Sequence, residues 1–157
     1  MLDRWAMTPI LKKFESFYRD FSTQQLANIG DIYEDDIVFI DPVHEVQGIE
    51  ALKSYFMSSL SGVESCHFTL EQISETEDGA HIAWTMHYQH SRLKKGESLR
   101  LDGISALSFH KGLTPEDTRI SWQHDYYDLG QMVYEHVPIV GHWIRKLKAR
   151  LTGAKAS

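Results

Sequence analysis

A single cysteine, Cys66, in 157 residues leaves no partner for an intramolecular disulfide, so packing has to hold the fold together. With that scarcity, and with no signal-peptide pattern at the N-terminus, the cytoplasm is the expected compartment. No apolar run approaches the roughly 20 residues that a membrane-spanning helix needs. Positive charge is also short: 16 Lys and Arg against 22 Asp and Glu give a net charge of −6 and a sequence pI of about 5.8. That balance gives no general attraction to nucleic acid, and no nucleic-acid partner is expected. Four prolines and ten glycines are too few and too scattered for a fibrous or low-complexity chain, and no repeat or linker divides it. Neither a phosphate-cradling glycine loop nor a dinucleotide fingerprint occurs, so no cofactor is expected. Nine histidines are present, but none forms a paired-His helix motif, and His87 and His90, three apart on a strand, face opposite sides. No metal site is expected either.

What the chain does have is apolar and aromatic mass: 42% hydrophobic residues, with seven Phe, seven Tyr and four Trp. That is enough for the core of one domain spanning residues 1–157, and enough to line a pocket as well. Thr8-Pro9 reads as an N-cap with proline at the first helical position, and Ile10, Phe14, Phe17, Tyr18 and Phe21 then form one stripe. Ser22 with Gln25 reads as a capping box opening a shorter helix that carries Leu26, Ile29 and Tyr33. Ile37–Ile40 is a strand-like run cut off at Asp41-Pro42, because a proline cannot donate to a ladder. A short β-like segment, His44–Gln47, leads to a helix with Ile49, Leu52, Phe56 and Leu60 on one side and Gly62 as its stop. Cys66, Phe68 and Leu70 alternate with polar residues, Asp78-Gly79 is a turn, and strands follow at about 81–92, 98–110 and 118–127. Helices first and then a meander of long strands predict an α+β domain with helices on one face of a bent sheet.

The C-terminal segment, residues 130–157, reads as an amphipathic helical extension. Val140, Trp143, Ile144, Leu147 and Leu151 hold helical spacing among Arg145, Lys146, Lys148 and Arg150, with Lys155 beyond. Docking of the apolar stripe on the domain or on a second subunit is the favoured reading, over contact with a membrane surface.

Two stretches resemble a family. DDIVFIDPVHEVQGIEALKSYF, residues 35–56, and SWQHDYYDL, residues 121–129, are similar to signature regions of the nuclear-transport-factor-2-like superfamily, which includes ketosteroid isomerase, limonene epoxide hydrolase and SnoaL-like polyketide cyclases. The resemblance runs from about Pro9 to Leu129. It implies a cone: a strongly curved, mostly antiparallel sheet wrapped round the N-terminal helices, a cystatin-like α+β barrel, here with an extra C-terminal helix. It also implies a deep apolar pocket and a homodimer paired through the outer sheet face. Because this fold hosts enzymes, carriers and transport factors alike, the activity has to be read from the site.

Asp41-Pro42-Val43 resembles the segment that carries the general base of ketosteroid isomerase, a carboxylate over an apolar floor that moves a proton between carbons. Asp41 reads equally as a turn residue whose side chain caps nearby amides. The positions that match the isomerase's oxyanion-hole donors are Phe17, which has no donor, and Ser105, while Tyr18 lies about 100° round the helix and is expected to point elsewhere. Asp125 matches one carboxylate of the epoxide hydrolase's Asp-Arg-Asp set, but Met86 and Tyr88 stand where its arginine and second aspartate belong. Epoxide hydrolysis is therefore the least favoured reaction. Asp125 reads equally as a buried structural carboxylate.

Strand parity puts Gln123 and Tyr127 on the same face as Asp125, joined by Trp84, Met86 and Tyr88 and by Gly103, Ser105 and Leu107. Simple parity places Asp102 on the outer face. The residues expected to line a site are thus Phe17, Phe39, His44, Trp84, Met86, Tyr88, Gly103, Ser105, Gln123 and Tyr127, with Asp41 and Asp125 as the catalytic pair and His44 and His124 as candidate proton carriers. Cys66 reads as an inert core thiol. Two functions follow from one pocket: an isomerase-like or cyclase-like enzyme acting on a small, largely apolar organic molecule with Asp41 as base, or a non-catalytic carrier or sensor of such a molecule.

Overall fold

In the computed structural model, residues 7–132 and 138–153 are described, with the side chains of 132 and 138–144 left out. Helix α1, Pro9–Arg19, starts at Thr8 as expected, but the Thr8 hydroxyl does not cap it. It donates instead to Glu75 Oε2, 2.6 Å away at the end of a distant strand. One face of α1 buries Ile10, Leu11, Phe14, Phe17 and Tyr18.

The next segment departs from expectation. Gln25–Asp31 is a 3-10 helix whose N-cap, Gln24, makes no side-chain bond, so the Ser22 and Gln25 box does not form. Only the Gln25 amide returns to the Ser22 carbonyl, at 3.1 Å. Tyr33 is not helical: it opens β1, Tyr33–Ile40, and is 1% exposed. The acidic run Glu34-Asp35-Asp36 hid the start of that strand, because three charged residues break the alternation that marks a half-buried strand. After the Asp41-Pro42 kink, β2 (Glu45–Gln47) folds back antiparallel on β1, and Gly48, at φ +90°, leads into α2 (Ile49–Ser59). Gly62, at φ +78°, follows the end of α2, a conformation that glycine adopts without steric cost.

Four long strands then form an antiparallel meander: β3 (Val63–Glu75), β4 (Gly79–His90), β5 (Leu99–His110) and β6 (Arg119–Tyr127). β1 joins β6 in parallel, giving the sheet order β2-β1-β6-β5-β4-β3. Helices α1 and α2 lie on the inner face, α1 against β3 and α2 against β1. The result is the curved α+β cone expected from the family resemblance, with a six-stranded sheet around the N-terminal helices. Parity holds at Asp102, which is on the outer face and accepts from Thr85 Oγ1 at 2.9 Å and Arg100 Nε at 3.2 Å.

The tail begins with α3 (Leu129–Met132) and continues as α4 (Pro138–Leu151), where Lys148 pairs with Asp128. The expected stripe members Val140, Trp143 and Ile144, and Lys155 beyond them, lie outside the described side chains. No described helix is long and apolar enough to cross a membrane.

Candidate functional site

A cavity of about 450 Å³ opens between the two long helices and the inner face of the sheet. Its volume lies within the range of small-molecule sites. The sequence builds it by parity. Inward residues of β4 (Trp84, Met86, Tyr88, His90), of β3 (Cys66, Phe68) and of β6 (Asp125, Tyr127) face Phe39 of β1, Tyr18 of α1, and Tyr55 and Phe56 of α2. Aromatic rings make up much of the walls, with Phe68 and Trp84 edge to face at 5.0 Å and Trp84 and Tyr127 tilted at 6.2 Å. Pairs in these geometries add about 0.5–1.5 kcal/mol beyond the area they bury.

Both aspartates are on the cavity wall, in different settings. Asp41 Oδ1 accepts the backbone N–H of Val43 at 2.8 Å and of His44 at 2.9 Å. Oδ2 accepts the Tyr55 hydroxyl at 2.5 Å, and the Tyr127 hydroxyl interacts with the same carboxylate. The side chain thus holds the turn after β1 with one oxygen and presents the other to the cavity. Burial, and then the bond to Asp41, push the Tyr55 hydroxyl up from its ordinary pKa, so it stays a donor.

Asp125 is held by a chain of side-chain bonds whose donors all point toward it. Tyr33 donates to Gln123 Oε1 at 2.6 Å, which leaves Tyr18 to donate to Tyr33 across 2.5 Å. Gln123 Nε2 then donates to Asp125 Oδ1 at 2.9 Å. From the other side, Trp84 Nε1 donates to Ser105 Oγ at 2.9 Å, and Ser105 donates to the same Oδ1 at 2.6 Å. Among the described residues nothing bonds Oδ2. Burial pushes the Asp125 carboxyl up to about 7; the Ser105 and Gln123 bonds oppose that rise and the negative charge of Asp41 adds to it. The carboxyl keeps an intermediate accessibility, which fits its place on the cavity wall. It titrates near neutral pH, and when protonated it can offer an O–H to a molecule in the cavity.

Of the residues expected at the site, Asp41, Asp125, Phe39, Trp84, Met86, Tyr88 and Tyr127 are on this wall. Ser105, 1% exposed, and Gln123, 0% exposed, sit behind it as the donors that hold Asp125. Gly103 is also behind the wall, under the Trp84 ring. Three placements correct the sequence reading. Phe17 is core, 2% exposed, and Tyr18 reaches the cavity in its place. The stripe on α1 is wide enough for both, and Tyr18, four residues after Phe14 and three before Phe21, shares their face. His44 is an exposed rim residue, its ring stacked on Tyr55 at 5.5 Å. His124 alternates with Asp125 onto the outer face, where it stacks on Tyr126 at 3.9 Å.

Four residues with roles here went unnoticed in the sequence. Tyr33 was hidden by its acidic neighbours. Tyr55, three residues after Leu52, carried a signal in that spacing. His90 continues the inward alternation of Trp84, Met86 and Tyr88 to the end of β4, and Arg92 follows in the turn. Cys66 lines the wall, and burial pushes its thiol up to about 12, which keeps it protonated and inert. Among the described residues no cluster of His, Cys, Asp or Glu is arranged to hold a metal ion. A larger hollow of about 560 Å³, bounded by Thr8, Glu75, Glu77 and Lys111, carries the surface ion pair of Lys111 with Glu77, and both of its carboxylates are exposed. The aromatic cavity is therefore the better candidate.

The glycine at 103 offers a local test. A Cβ there would stand 2.3 Å from Trp84 Cη2, so Gly103→Ala must displace the indole that orients Ser105. We expect a loss of about 1–3 kcal/mol in urea denaturation, together with a shift of the Trp84 indole N–H resonance; an unmoved resonance would refute the contact.

A family model for the SnoaL-like domain matches residues 14–114, more than half of the chain. Among curated proteins none is similar. Solved structures share the fold at low identity. A ketosteroid-isomerase-like protein from Catenulispora acidiphila, crystallised with trimethylamine, is 16% identical, covers 83% of this chain and 93% of its own, and has a TM-score of 0.65. An NTF2-like protein of unknown function from Burkholderia pseudomallei is 13% identical over 81% of this chain and 96% of its own, with a TM-score of 0.66. A candidate SnoaL-like polyketide cyclase from Shewanella denitrificans is 18% identical over 78% and 90%, with a TM-score of 0.61. Matched by sequence through its first helix, the Asp41 turn and most of the meander, the chain belongs to the SnoaL-like domain family.

Proposed function

We propose that the protein binds a small, largely apolar organic molecule in the aromatic cavity and moves a proton on it, as an isomerase or cyclase does. Asp41 takes the proton from carbon, and protonated Asp125 donates a hydrogen bond to the carbonyl oxygen on which charge develops. The observation that carries this reading is the pairing at one cavity of two carboxyl groups in unlike settings. Asp41 accepts hydrogen bonds at both oxygens, as an ionised carboxylate does, while Asp125 is held up to about 7 by burial. Unlike environments for two carboxyl groups are how one site supplies both a base and an acid. Phe39, Trp84, Met86, Tyr88 and Tyr127 would hold the body of the molecule.

The second reading is a carrier or sensor using the same cavity without turnover. It is favoured by one observation: the Val43 and His44 amides and the Tyr55 hydroxyl already occupy Asp41, which leaves its oxygens little freedom to take a proton.

One pair of measurements separates the two. Native mass spectrometry with an organic extract reports a retained apolar compound, and proton NMR in deuterium oxide reports exchange of the hydrogens next to the carbonyl of β-tetralone. Binding with accelerated exchange supports the enzyme, binding without it supports the carrier, and neither effect would overturn both readings.

The same mass spectra report subunit number. Ile104 and Tyr126 stand 48% and 53% exposed on the outer sheet face, through which we propose that two copies pair. The single cysteine, buried and protonated, is compatible with a reducing compartment, and the cytoplasm is the proposed location.

A further inference from the structure

Charge in the cavity is divided between its ends. Asp125 and Tyr127 gather near Trp84, since Gly103 pairs with both Trp84 and Tyr127 and Ser105 pairs with Asp125, and Asp41 joins them through the Tyr127 hydroxyl. From Trp84 the inward positions of β4 run through Met86 and Tyr88 to His90, and Arg92 follows in the turn. Six residues of strand at about 3.3 Å each separate Trp84 from His90 by about 20 Å. Between these ends the lining is mostly apolar, with Phe68, Met86, Cys66 and Leu101.

Arg92 makes no side-chain bond to the described residues. Only its backbone N–H is engaged, donating to His90 Nδ1 at 3.1 Å. Three other arginines of the domain differ: Arg19 is paired with Glu15, Arg100 with Asp102, and Arg119 with the Gly30 carbonyl. Because Nδ1 of His90 accepts that N–H, a neutral imidazole carries its proton on Nε2 and adds a second donor at this end. An anionic group is repelled from the carboxylate of Asp41 and attracted by a guanidinium, whose planar fork matches a carboxylate.

We infer that the molecule bound here is amphiphilic, an apolar body with one anionic group, a carboxylate, which Arg92 holds at the end of the cavity opposite the aspartates. The neutral end then lies beside Asp125 and Asp41. The inference rests on the small-molecule reading above and names the chemical class of its ligand.

The test is a fluorescence titration with pyrenebutyrate and with its methyl ester, which share an apolar body and differ in the charge. Wild type is expected to bind the acid about two- to fivefold more tightly than the ester, the modest gain of a partly solvated ion pair. Arg92→Ala should remove that preference and leave ester affinity unchanged, while Arg92→Lys keeps most of it. Met86→Trp, which fills the cavity, should weaken both probes. Equal affinity for acid and ester in wild type, or a preference that survives Arg92→Ala, overturns the anionic end; if Met86→Trp still blocks both probes, the small-molecule reading stands. If neither probe binds, or if Met86→Trp has no effect, both fall.

Discussion

Asp125→Asn is expected to make the protein more stable than wild type at pH 8 and nearly equal to it at pH 4. In the folded chain burial holds the Asp125 carboxyl up to about 7, whereas in the unfolded chain it ionises near the ordinary aspartate value of about 3.9. Between those two values the folded state binds more protons than the unfolded one. Stability from this group is therefore fully present below about pH 4 and is lost as pH rises through about 7. The loss is on the order of a few kcal/mol, since each tenfold change in proton affinity is worth about 1.4 kcal/mol. Asparagine copies the protonated acid: its oxygen still accepts from Ser105 and Gln123, and its amide stands where the proton did. Urea denaturation at pH 4 and pH 8 reads the difference directly. Parallel losses in wild type and variant would show that Asp125 is ionised in the folded protein at neutral pH, and its role as donor to a substrate oxygen would go with it.

Asp41→Asn is expected to cut deuterium exchange into β-tetralone by about 10²–10⁴, the usual contribution of a positioned general base. The fold should survive. The amide oxygen still accepts from the Val43 and His44 N–H groups, and the amide nitrogen can donate to the Tyr55 oxygen. Thermal denaturation and binding of the ketone should stay close to wild type, so that lost exchange reports chemistry alone. Asp41→Ala differs in an informative way, because it also hands two backbone donors at the turn over to water and should cost about 0.5–1.5 kcal/mol of stability. Exchange unchanged in Asp41→Asn would leave the carrier reading as the account of the cavity. A drop in ketone affinity to match the drop in exchange would make Asp41 a binding residue only.

Local sequence signals carried much of the architecture. Proline after Asp41, the helical stripes of α1 and α2 and the period-two alternation of the late strands act within a few residues, so they can be read without knowing what packs on what. They fail where a residue answers to a distant partner. Tyr33 follows a short 3-10 helix and precedes three acids, yet it is among the most buried residues because β6 lies beside it and Gln123 accepts its hydroxyl. The choice between Phe17 and Tyr18 failed for a related reason. A 100° step matters on a narrow stripe and much less on the wide face of α1, and how wide a face is buried depends on the strands and helix packed against it.

By itself, then, the sequence determined the kind of protein this is: one α+β domain, the order of its elements, and two aspartates singled out, Asp41 at the kink after β1 and Asp125 on the closing strand. Tertiary structure decided what those aspartates are. Asp41 and Asp125 are 84 positions apart by their numbers, and nothing local says that one will be held by backbone amides and a tyrosine while the other sits at the end of a chain of buried donors. That distinction arises from burial and from hydrogen bonds between residues far apart in the chain, both of which exist only once the sheet has closed around the helices.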